Sequence, residues 1–257
     1  MRKGVFIYVS IAVVILAGLT FYIVEQGIFE DEKARVDRPI TQPVDEGEVE
    51  PVLEVVAEDL GLIWGIDFLP GTSKLLANEN DGSMFLIDTE TLEVVEIAGV
   101  PEVASSGQGG LLDVAVSPDF DEDNLVYLTY SASNDAGEST TYLARAALDL
   151  EEQVLSDVEE LYVAEPFLSG TSHYGSRVVI QGDYLYMTIG DRGDKNFDDH
   201  VSQDTTNVLG TTIRLLRDGT IPEDNPFVDD ANVLDEIYTY GHRNSQGMTI
   251  HPETGEI

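Results

Sequence analysis

Short apolar or alternating segments of four to eight residues recur along the chain after residue 52, separated by Gly, Pro, Asn and Asp. Such segments are typical of β-strands, and no sustained 3.6-residue apolar period of a long helix accompanies them. The pattern therefore predicts an all-β fold for this part of the chain. The predicted strands are Ile63–Phe68, Lys74–Ala77, Met84–Asp88, Val94–Ile97, Leu111–Val116, Leu125–Ser131, Thr140–Ala147, Leu161–Ala164, Arg177–Ile180, Tyr184–Ile189 and Thr212–Leu216.

The predicted strands fall into three groups, and a strand followed by a Pro-containing turn recurs among them. The recurring segments are Gly65-Ile-Asp-Phe-Leu-Pro-Gly, Leu112-Asp-Val-Ala-Val-Ser-Pro-Asp and Gly247-Met-Thr-Ile-His-Pro-Glu. Four-strand units at intervals of about 40–50 residues are typical of β-propeller blades. We expect about three blades, with Gly247–Ile257 as the first strand of a fourth. Because three blades would leave open sheet edges, we expect the chain to be a truncated propeller.

The first 51 residues have a different pattern. Val5–Val24 is a run of twenty uncharged residues, long enough as a helix to cross the ~30 Å hydrocarbon core of a bilayer. Residues 1–24 are therefore predicted to be a transmembrane anchor, with a cleaved signal peptide as the alternative. Residues 25–51 are polar and acidic with three prolines and predict a linker, so the folded domain is expected at residues 52–257.

The flanking charges predict the orientation of that anchor. Two basic residues precede the apolar run and acids follow it, so the positive-inside rule places the bulk of the chain outside the cell. The predicted location is the cell membrane, with a single pass and an extracellular propeller. A cleaved N-terminus would instead make the protein secreted.

Charge and cysteine content narrow the classes of function. The chain has 49 acidic and 13 basic side chains, a formal net charge of −36 and no cysteine. So acidic a surface argues against a nucleic-acid partner, and the lack of cysteine excludes disulfides and thiolate metal sites. Beyond residue 39 the lysines are Lys74 and Lys195 alone. Because concentrated salt screens acidic self-repulsion, we favour a halophilic source over an ordinary acidic extracellular protein.

A histidine and an aspartate flank a predicted hairpin. His173 lies in a turn just before the strand Arg177–Ile180, and Asp191 follows the strand Tyr184–Ile189. If these strands pair, Asp191 lies at the end where His173 begins. Its carboxylate could then hold one ring nitrogen while the other accepts a proton. The alternatives are a surface histidine and a turn aspartate.

Two further segments combine glycines with polar side chains. Gln108 lies in the glycine-rich turn of residues 106–113, exposed for a pocket rim, although such a turn is also typical between blades. The segment Tyr240-Gly-His-Arg-Asn-Ser-Gln-Gly247 contains Arg243, one of few cations in an acidic domain. A retained cation indicates an anionic ligand, with an inter-blade salt bridge as the alternative.

No metal site is predicted in the chain. The segment Asp119–Asp123 starts like a calcium loop but lacks the Gly and Glu required at positions six and twelve, so we interpret it as a turn. The segment Phe197–His200 could contact a metal, but no other ligands accompany it. We interpret it as a solvated insertion.

Five motifs, in order and spacing, resemble the soluble glucose/sorbosone dehydrogenase family, aldose sugar dehydrogenases that use pyrroloquinoline quinone (PQQ). The resemblance covers roughly Leu60–Ile257. Family members are six-bladed β-propellers with the cofactor over the central channel, so the resemblance implies that fold and the oxidation of aldose sugars at the anomeric carbon to the lactone. The motifs are Gly107-Gln-Gly-Gly-Leu-Leu with Ser117-Pro-Asp-Phe120, His173-Tyr-Gly-Ser-Arg177, Leu185-Tyr-Met-Thr-Ile-Gly-Asp191, Asp218-Gly-Thr-Ile-Pro-Glu-Asp-Asn-Pro-Phe227 and Gly241-His-Arg-Asn-Ser-Gln-Gly247.

The resemblance also implies a role for each candidate residue. His173 would be the general base that takes the proton of the anomeric hydroxyl as hydride passes to PQQ, and Asp191 would orient it. Gln108 would contact substrate and quinone. Arg243 and Asn244 would bind the quinone, with Arg243 stabilising negative charge on its reduced oxygens. The implied partners are an aldose sugar and an external electron acceptor.

Three positions depart from the family pattern, and all three are serines. Ser172 stands where the family often has Asp or Asn, Ser176 replaces the second Gly of H-x-G-G-R, and Ser245 replaces the Pro of H-R-N-P-Q. Most of the family's basic cofactor ligands and its calcium site are expected in a further C-terminal half. We therefore expect the 257 residues alone neither to bind PQQ nor to oxidise sugar. The alternative function is a non-catalytic extracellular propeller that binds carbohydrate or protein.

Overall fold

Twelve strands form three four-stranded antiparallel sheets in residues 52–196 and 198–257, the part of the chain that the computed structural model describes. The strands of each sheet are consecutive in the chain, which is the connectivity of a propeller blade. The first sheet contains β1 (Ile63–Phe68), β2 (Lys74–Glu79), β3 (Met84–Asp88) and β4 (Val94–Glu96); the second contains β5 (Leu111–Val116), β6 (Leu125–Ser133), β7 (Ser139–Asp149) and β8 (Val154–Val163); the third contains β9 (Gly175–Gln181), β10 (Tyr184–Ile189), β11 (Thr211–Leu216) and β12 (Ile237–Tyr240).

Two short helical segments interrupt these strands. Helix α1 (Phe120–Asp123) lies between β5 and β6, and a 3-10 helix (Val201–Gln203) lies between β10 and β11. Both are single turns, so the described part of the chain is all-β, as the apolar pattern predicts.

Two apolar clusters fill the spaces between neighbouring sheets. On β6, Leu128 packs into the cluster shared with the first sheet, and Tyr127 packs into the cluster shared with the third. Successive strand residues point to opposite faces, so the second sheet buries one face against each neighbour. The first strands also adjoin, since β1 contacts β5 and β5 contacts β9. This arrangement fits part of a propeller.

The sequence pattern misplaces three elements. β8 begins at Val154 rather than Leu161, because residues 156–160 in the first half of the strand are exposed and mostly polar or acidic and so interrupt the apolar run. β12 (Ile237–Tyr240) was not predicted. Gly247–Ile257 is not a strand, because no strand among residues 52–196 and 198–257 forms ladder hydrogen bonds with it.

The predicted anchor and linker, residues 1–24 and 25–51, lie outside the described residues. In residues 52–196 and 198–257, no helix combines the length and apolarity needed to cross a membrane. Val55–Ile257 forms one compact unit, while the domain boundaries given above stay predictions.

Candidate active site

The hairpin of β9 and β10 brings His173 and Asp191 together. The register sets Gly175 opposite Ile189, so the residues just beyond these two lie at the same end of the hairpin. His173 Nδ1 lies 2.6 Å from Asp191 Oδ1. The Asp191 side chain is fully buried, whereas the imidazole is 19 % exposed. The arrangement holds one ring nitrogen and leaves Nε2 at the accessible side, which is the geometry that the hairpin argument predicts.

Hydrogen bonds to its backbone hold His173 in its turn. The residue has a φ of 55°, in the left-handed region that few non-glycine residues occupy. Its N–H donates to Gln108 Oε1 at 2.8 Å, and its carbonyl accepts from Arg192 N at 3.2 Å. The imidazole is therefore presented by a fixed backbone, which reduces the reorganisation that a reaction would need.

Two glycines allow the His173 turn to lie against the end of β10. A Cβ at Gly190 would overlap the carbonyl carbon and oxygen of His173. Gly175, with a φ of 67°, lies directly against the backbone of Ile189 and Gly190. Only residues without a Cβ permit this approach. The glycines of the two motifs are thus required by the close approach of the His173 turn to the end of β10.

The segment after β12 is tied to the same place by its backbone and by Asn244. Asp191 N donates to the Arg243 carbonyl at 2.7 Å, and Gly175 N donates to Asn244 Oδ1 at 3.0 Å. The Arg243 side chain is 51 % exposed, and its Nη1 lies 3.9 Å from Asp191 Oδ2. Among the described residues its carboxylate neighbour is Asp191, and both follow strands of the third sheet, so an inter-blade salt bridge does not account for Arg243.

The second oxygen of Asp191 faces a second histidine. Oδ1 accepts from His173 and, at 2.8 Å, from Gly193 N. Oδ2 is buried and accepts no well-aligned hydrogen bond from the described residues. His200 Nε2 lies 3.3 Å from it, and the His200 side chain is only 15 % exposed. The interpretation of this segment as a solvated insertion is therefore wrong for His200, because its ring packs against the Asp191 carboxylate.

Arg192 supports the His173 turn from behind and was not predicted from the sequence. Its guanidinium donates to the carbonyls of Ser172 at 3.1 Å, Ser139 at 2.6 Å and Gly170 at 2.7 Å, and it lies 3.9 Å from the centre of the Tyr174 ring. Burial lowers the pKa of Arg192. The one available signal was a scarce base placed directly after Asp191.

A second buried aspartate, Asp113, lies on β5. It accepts from the guanidinium of Arg177 and, at 2.8 Å, from Val178 N. Arg177 Nε also donates to the Gln246 carbonyl at 3.2 Å. Burial raises the pKa of Asp113 to about 7, although Arg177 and the Val178 N–H both act to lower it. This ion pair joins two sheets and the segment that carries Arg243, beside a groove of about 620 Å³.

All five predicted site residues converge on the His173 turn. Gln108 and Asn244 bind its backbone through their amide oxygens, Asp191 binds the imidazole, and Arg243 lies beside Asp191. The amide oxygens of Gln108 and Asn244 thus support the turn, and their amide nitrogens keep donor capacity for a ligand.

The acidic segment before β6 contains the single-turn helix α1. Asp119 and Asp123 bind Arg217 at 2.6 and 3.0 Å. Over the described ranges 52–196 and 198–257, no group of three or more His, Asp or Glu side chains is arranged to hold a metal ion.

The three blade-like sheets fit part of a propeller, and its neighbouring loops carry a His–Asp pair and an exposed arginine. The chain belongs to the glucose/sorbosone dehydrogenase family, since the family model Glucose / Sorbosone dehydrogenase matches residues 60–257. Aldose sugar dehydrogenase YliI of Escherichia coli (strain K12) is 32% identical over 201 residues, which cover 78% of this chain and 53% of that protein.

Solved structures give the same relationship. The soluble aldose sugar dehydrogenase from Escherichia coli, in its apo form, has a TM-score of 0.73 at 32% identity, covering 79% of this chain and 57% of the other. The PQQ-bound form of the aldose sugar dehydrogenase from Streptomyces coelicolor has a TM-score of 0.65 at 32% identity, covering 76% and 55%. The chain spans about half the length of the curated relatives it matches.

Proposed function

We propose that this chain takes part in the PQQ-dependent oxidation of an aldose sugar at the anomeric carbon to the lactone, with His173 as general base. The observation that carries the proposal is the 2.6 Å contact between His173 Nδ1 and the fully buried Asp191 carboxylate. The Streptomyces coelicolor relative binds PQQ, which supports this cofactor. The external electron acceptor is a further expectation of the resemblance.

The residues present fit part of PQQ, which carries three carboxylates. Of the six arginines in the described residues, five are in ion pairs or buried among carbonyls, and Arg243 has the most exposed guanidinium. An accessible cation in a chain of net charge −36 is suited to an anionic ligand. Arg243, Asn244 and Gln108 would hold the cofactor, and when bound it supplies the hydride acceptor.

His173 Nε2 is the atom that would take the proton of the anomeric hydroxyl. Because Nδ1 contacts a carboxylate, the neutral ring keeps its proton on Nδ1 and its lone pair on Nε2. When Nε2 is protonated, the imidazolium forms beside a carboxylate that is already in contact with it. The stabilising charge is thus in place before the proton moves.

The remaining expectations are proposals of the same kind. Residues 5–24 would anchor the chain in the cell membrane with the propeller outside, or secretion would follow cleavage. A halophilic source accounts for the acidic surface. Calcium is implied by the family resemblance alone, and no ligand for it is assigned within the part of the chain described.

The test uses the product of the complete open reading frame that contains this chain. Reconstituted with PQQ and calcium, it should reduce a dye with glucose as donor. His173→Gln should lower kcat about 10³-fold with an unchanged circular dichroism spectrum, because the base is lost and the fold is not. The matched control is His251→Gln, an exposed histidine whose Nδ1 accepts two backbone N–H groups of its own turn.

Two results would contradict the proposal. Unchanged turnover in His173→Gln refutes the base assignment. Failure of the wild-type product to bind PQQ, together with binding of carbohydrate or protein, favours the non-catalytic propeller. For the 257-residue chain alone we expect no holoenzyme, since a single exposed arginine faces a tricarboxylate.

A further inference from the structure

The Asp191 carboxylate lacks one hydrogen bond at the place where it needs one. Oδ1 accepts from His173 Nδ1 at 2.6 Å and from Gly193 N at 2.8 Å. Oδ2 is equally buried, and the described residues offer it no well-aligned donor. A buried carboxylate oxygen without a donor is costly, and no hydrogen bond from the described residues at that oxygen resists rotation of the carboxylate about χ2. Fixing Oδ2 would therefore fix Oδ1 on the base.

His200 has the one ring proton suited to this task. Its Nδ1 lies 3.3 Å from Ser202 N and 2.8 Å from Ser202 Oγ, as the cap of the 3-10 helix. A backbone N–H can only donate, so Nδ1 is an acceptor. The neutral ring consequently carries its proton on Nε2, the atom 3.3 Å from Asp191 Oδ2.

The other charged groups near Oδ2 are less suited to the role. Arg243 Nη1 lies 3.9 Å away on a side chain that is 51 % exposed. Arg192 points away from the carboxylate toward the carbonyls of Ser139 and Gly170. Asp194 accepts from Val201 N at 2.9 Å and so holds the segment that carries His200.

We propose that His200 is a positioning residue for the His173–Asp191 pair, donating from Nε2 to Asp191 Oδ2. The inference rests on the proposed function insofar as it concerns turnover. Hydrogen bonds of this kind are commonly long before a substrate binds and shorten in the reacting complex. His200 thereby presents Oδ1 to His173 Nδ1 without contacting sugar or cofactor.

The decisive variant is His200→Asn. Asparagine is among the best capping residues, so its Oδ1 can accept from Ser202 N and preserve the 3-10 helix, while its shorter side chain leaves Oδ2 without the donor. The matched control is His251→Asn, whose ring makes the same kind of capping contacts in a turn of its own.

The first measurement needs neither sugar nor cofactor. In NMR spectra of the full chain we expect the His200 ring nitrogens to report the Nε2–H tautomer. In His200→Asn the Nδ1–H proton of His173 should exchange with water about 10-fold faster, with no change in His251→Asn. An Nδ1–H tautomer of His200 in the wild-type chain, or unchanged exchange in a folded variant, overturns the proposal. If the His200→Asn variant does not fold, the His200 tautomer in the wild-type chain tests the proposal by itself.

The second measurement is turnover in the holoenzyme of the complete reading frame. His200→Asn should lower kcat about 10-fold and leave KM within about twofold, because an outer residue that orients a reacting group acts on the chemical step. A loss confined to KM contradicts the positioning role. If the NMR effects are present and no form of the protein turns over sugar, the proposed function fails and the positioning inference stands.

Discussion

Two buried aspartates, Asp191 and Asp113, hold nitrogen bases in different ways. Asp191 contacts the imidazole of His173, a group that can gain and lose a proton. Asp113 contacts the guanidinium of Arg177, which keeps its charge at every accessible pH. In the second pair the titrating member is the aspartate itself, with a pKa raised by burial to about 7.

In the proposed function, the difference separates reaction chemistry at Asp191 from structural cohesion at Asp113. A buried carboxylate beside a permanent cation joins elements, and Arg177 does so between β5, β9 and the Gln246 carbonyl. A buried carboxylate beside an imidazole supports proton transfer at the far ring nitrogen. In the proposed function, a buried aspartate thus takes part in proton transfer or in structural cohesion, and the base that it contacts determines which.

The largest expected effect comes from making the same substitution at both aspartates. Asp191→Asn should lower kcat about 10³-fold, because the neutral amide cannot stabilise the imidazolium that forms at His173. Asp113→Asn should stay within about threefold of wild type, since it lies outside the proton-transfer pair. Dye-reduction kinetics of the two holoenzyme variants check this. Similar losses at both positions would remove the distinction.

The pH dependence of stability should differ between wild type and Asp113→Asn. The folded-state pKa of Asp113 lies above its unfolded value of 3.8, so folding takes up a proton. The resulting stabilisation is complete below about pH 4 and is lost as the pH rises through about 7. Between pH 5 and 8 the wild type should lose roughly 2–3 kcal/mol relative to the variant in urea unfolding. A difference that is constant with pH contradicts this.

A glycine lies beside each aspartate, and substituting the two glycines compares the packing around the two sites. A Cβ at Gly190 would overlap the His173 carbonyl, whereas a Cβ at Gly65 would lie 2.6 Å from Asn78 Oδ1, 2.8 Å from Asp113 Oδ1 and 3.0 Å from Asp113 Cα, so its shortest contacts are with side chains. The side-chain oxygens near Gly65 can move further than the backbone carbonyl of His173 that lies against Gly190. Gly190→Ala should therefore cost about 3 kcal/mol of unfolding free energy and Gly65→Ala about 1 kcal/mol. Chemical denaturation measures both losses. A larger loss in Gly65→Ala than in Gly190→Ala would contradict the geometry.

Salt should change the contribution of surface charges to stability and leave that of the Asp113–Arg177 pair nearly unchanged. Raising NaCl to about 2 M should stabilise the wild type if the acidic surface is a salt adaptation. The difference in unfolding free energy between wild type and Asp113→Asn should change by less than about 0.5 kcal/mol, because buried charges are screened little. Insensitivity of the wild type to salt would reject the halophilic interpretation.

The strands that sequence predicts best are those with alternating or apolar runs bounded by turns. β1, β3, β5 and β10 have the predicted bounds for this reason. β8 differs because an exposed strand with acidic side chains has no apolar signal, and it forms through pairing with β7. Pairing is a tertiary property that a local pattern does not contain.

The residues of the candidate site also differ in whether a local sequence pattern could predict their position. His173 and Asp191 could be placed together because one hairpin connects them and its register carries the information. His200 could not, because the segment between Asp191 and β11 has no periodic pattern that predicts where it folds back. The role of Arg192 could not be predicted from the sequence either, since its partners are backbone carbonyls that any residue could supply.

The hydrogen bond from Asp191 N to the Arg243 carbonyl runs between main-chain atoms. Such a bond does not depend on which side chain position 243 carries. Mutation at that position can therefore change what the loop binds while the loop stays attached to the aspartate beneath it. On the proposed role of Arg243, ligand preference and the position of Asp191 can thus vary independently of each other.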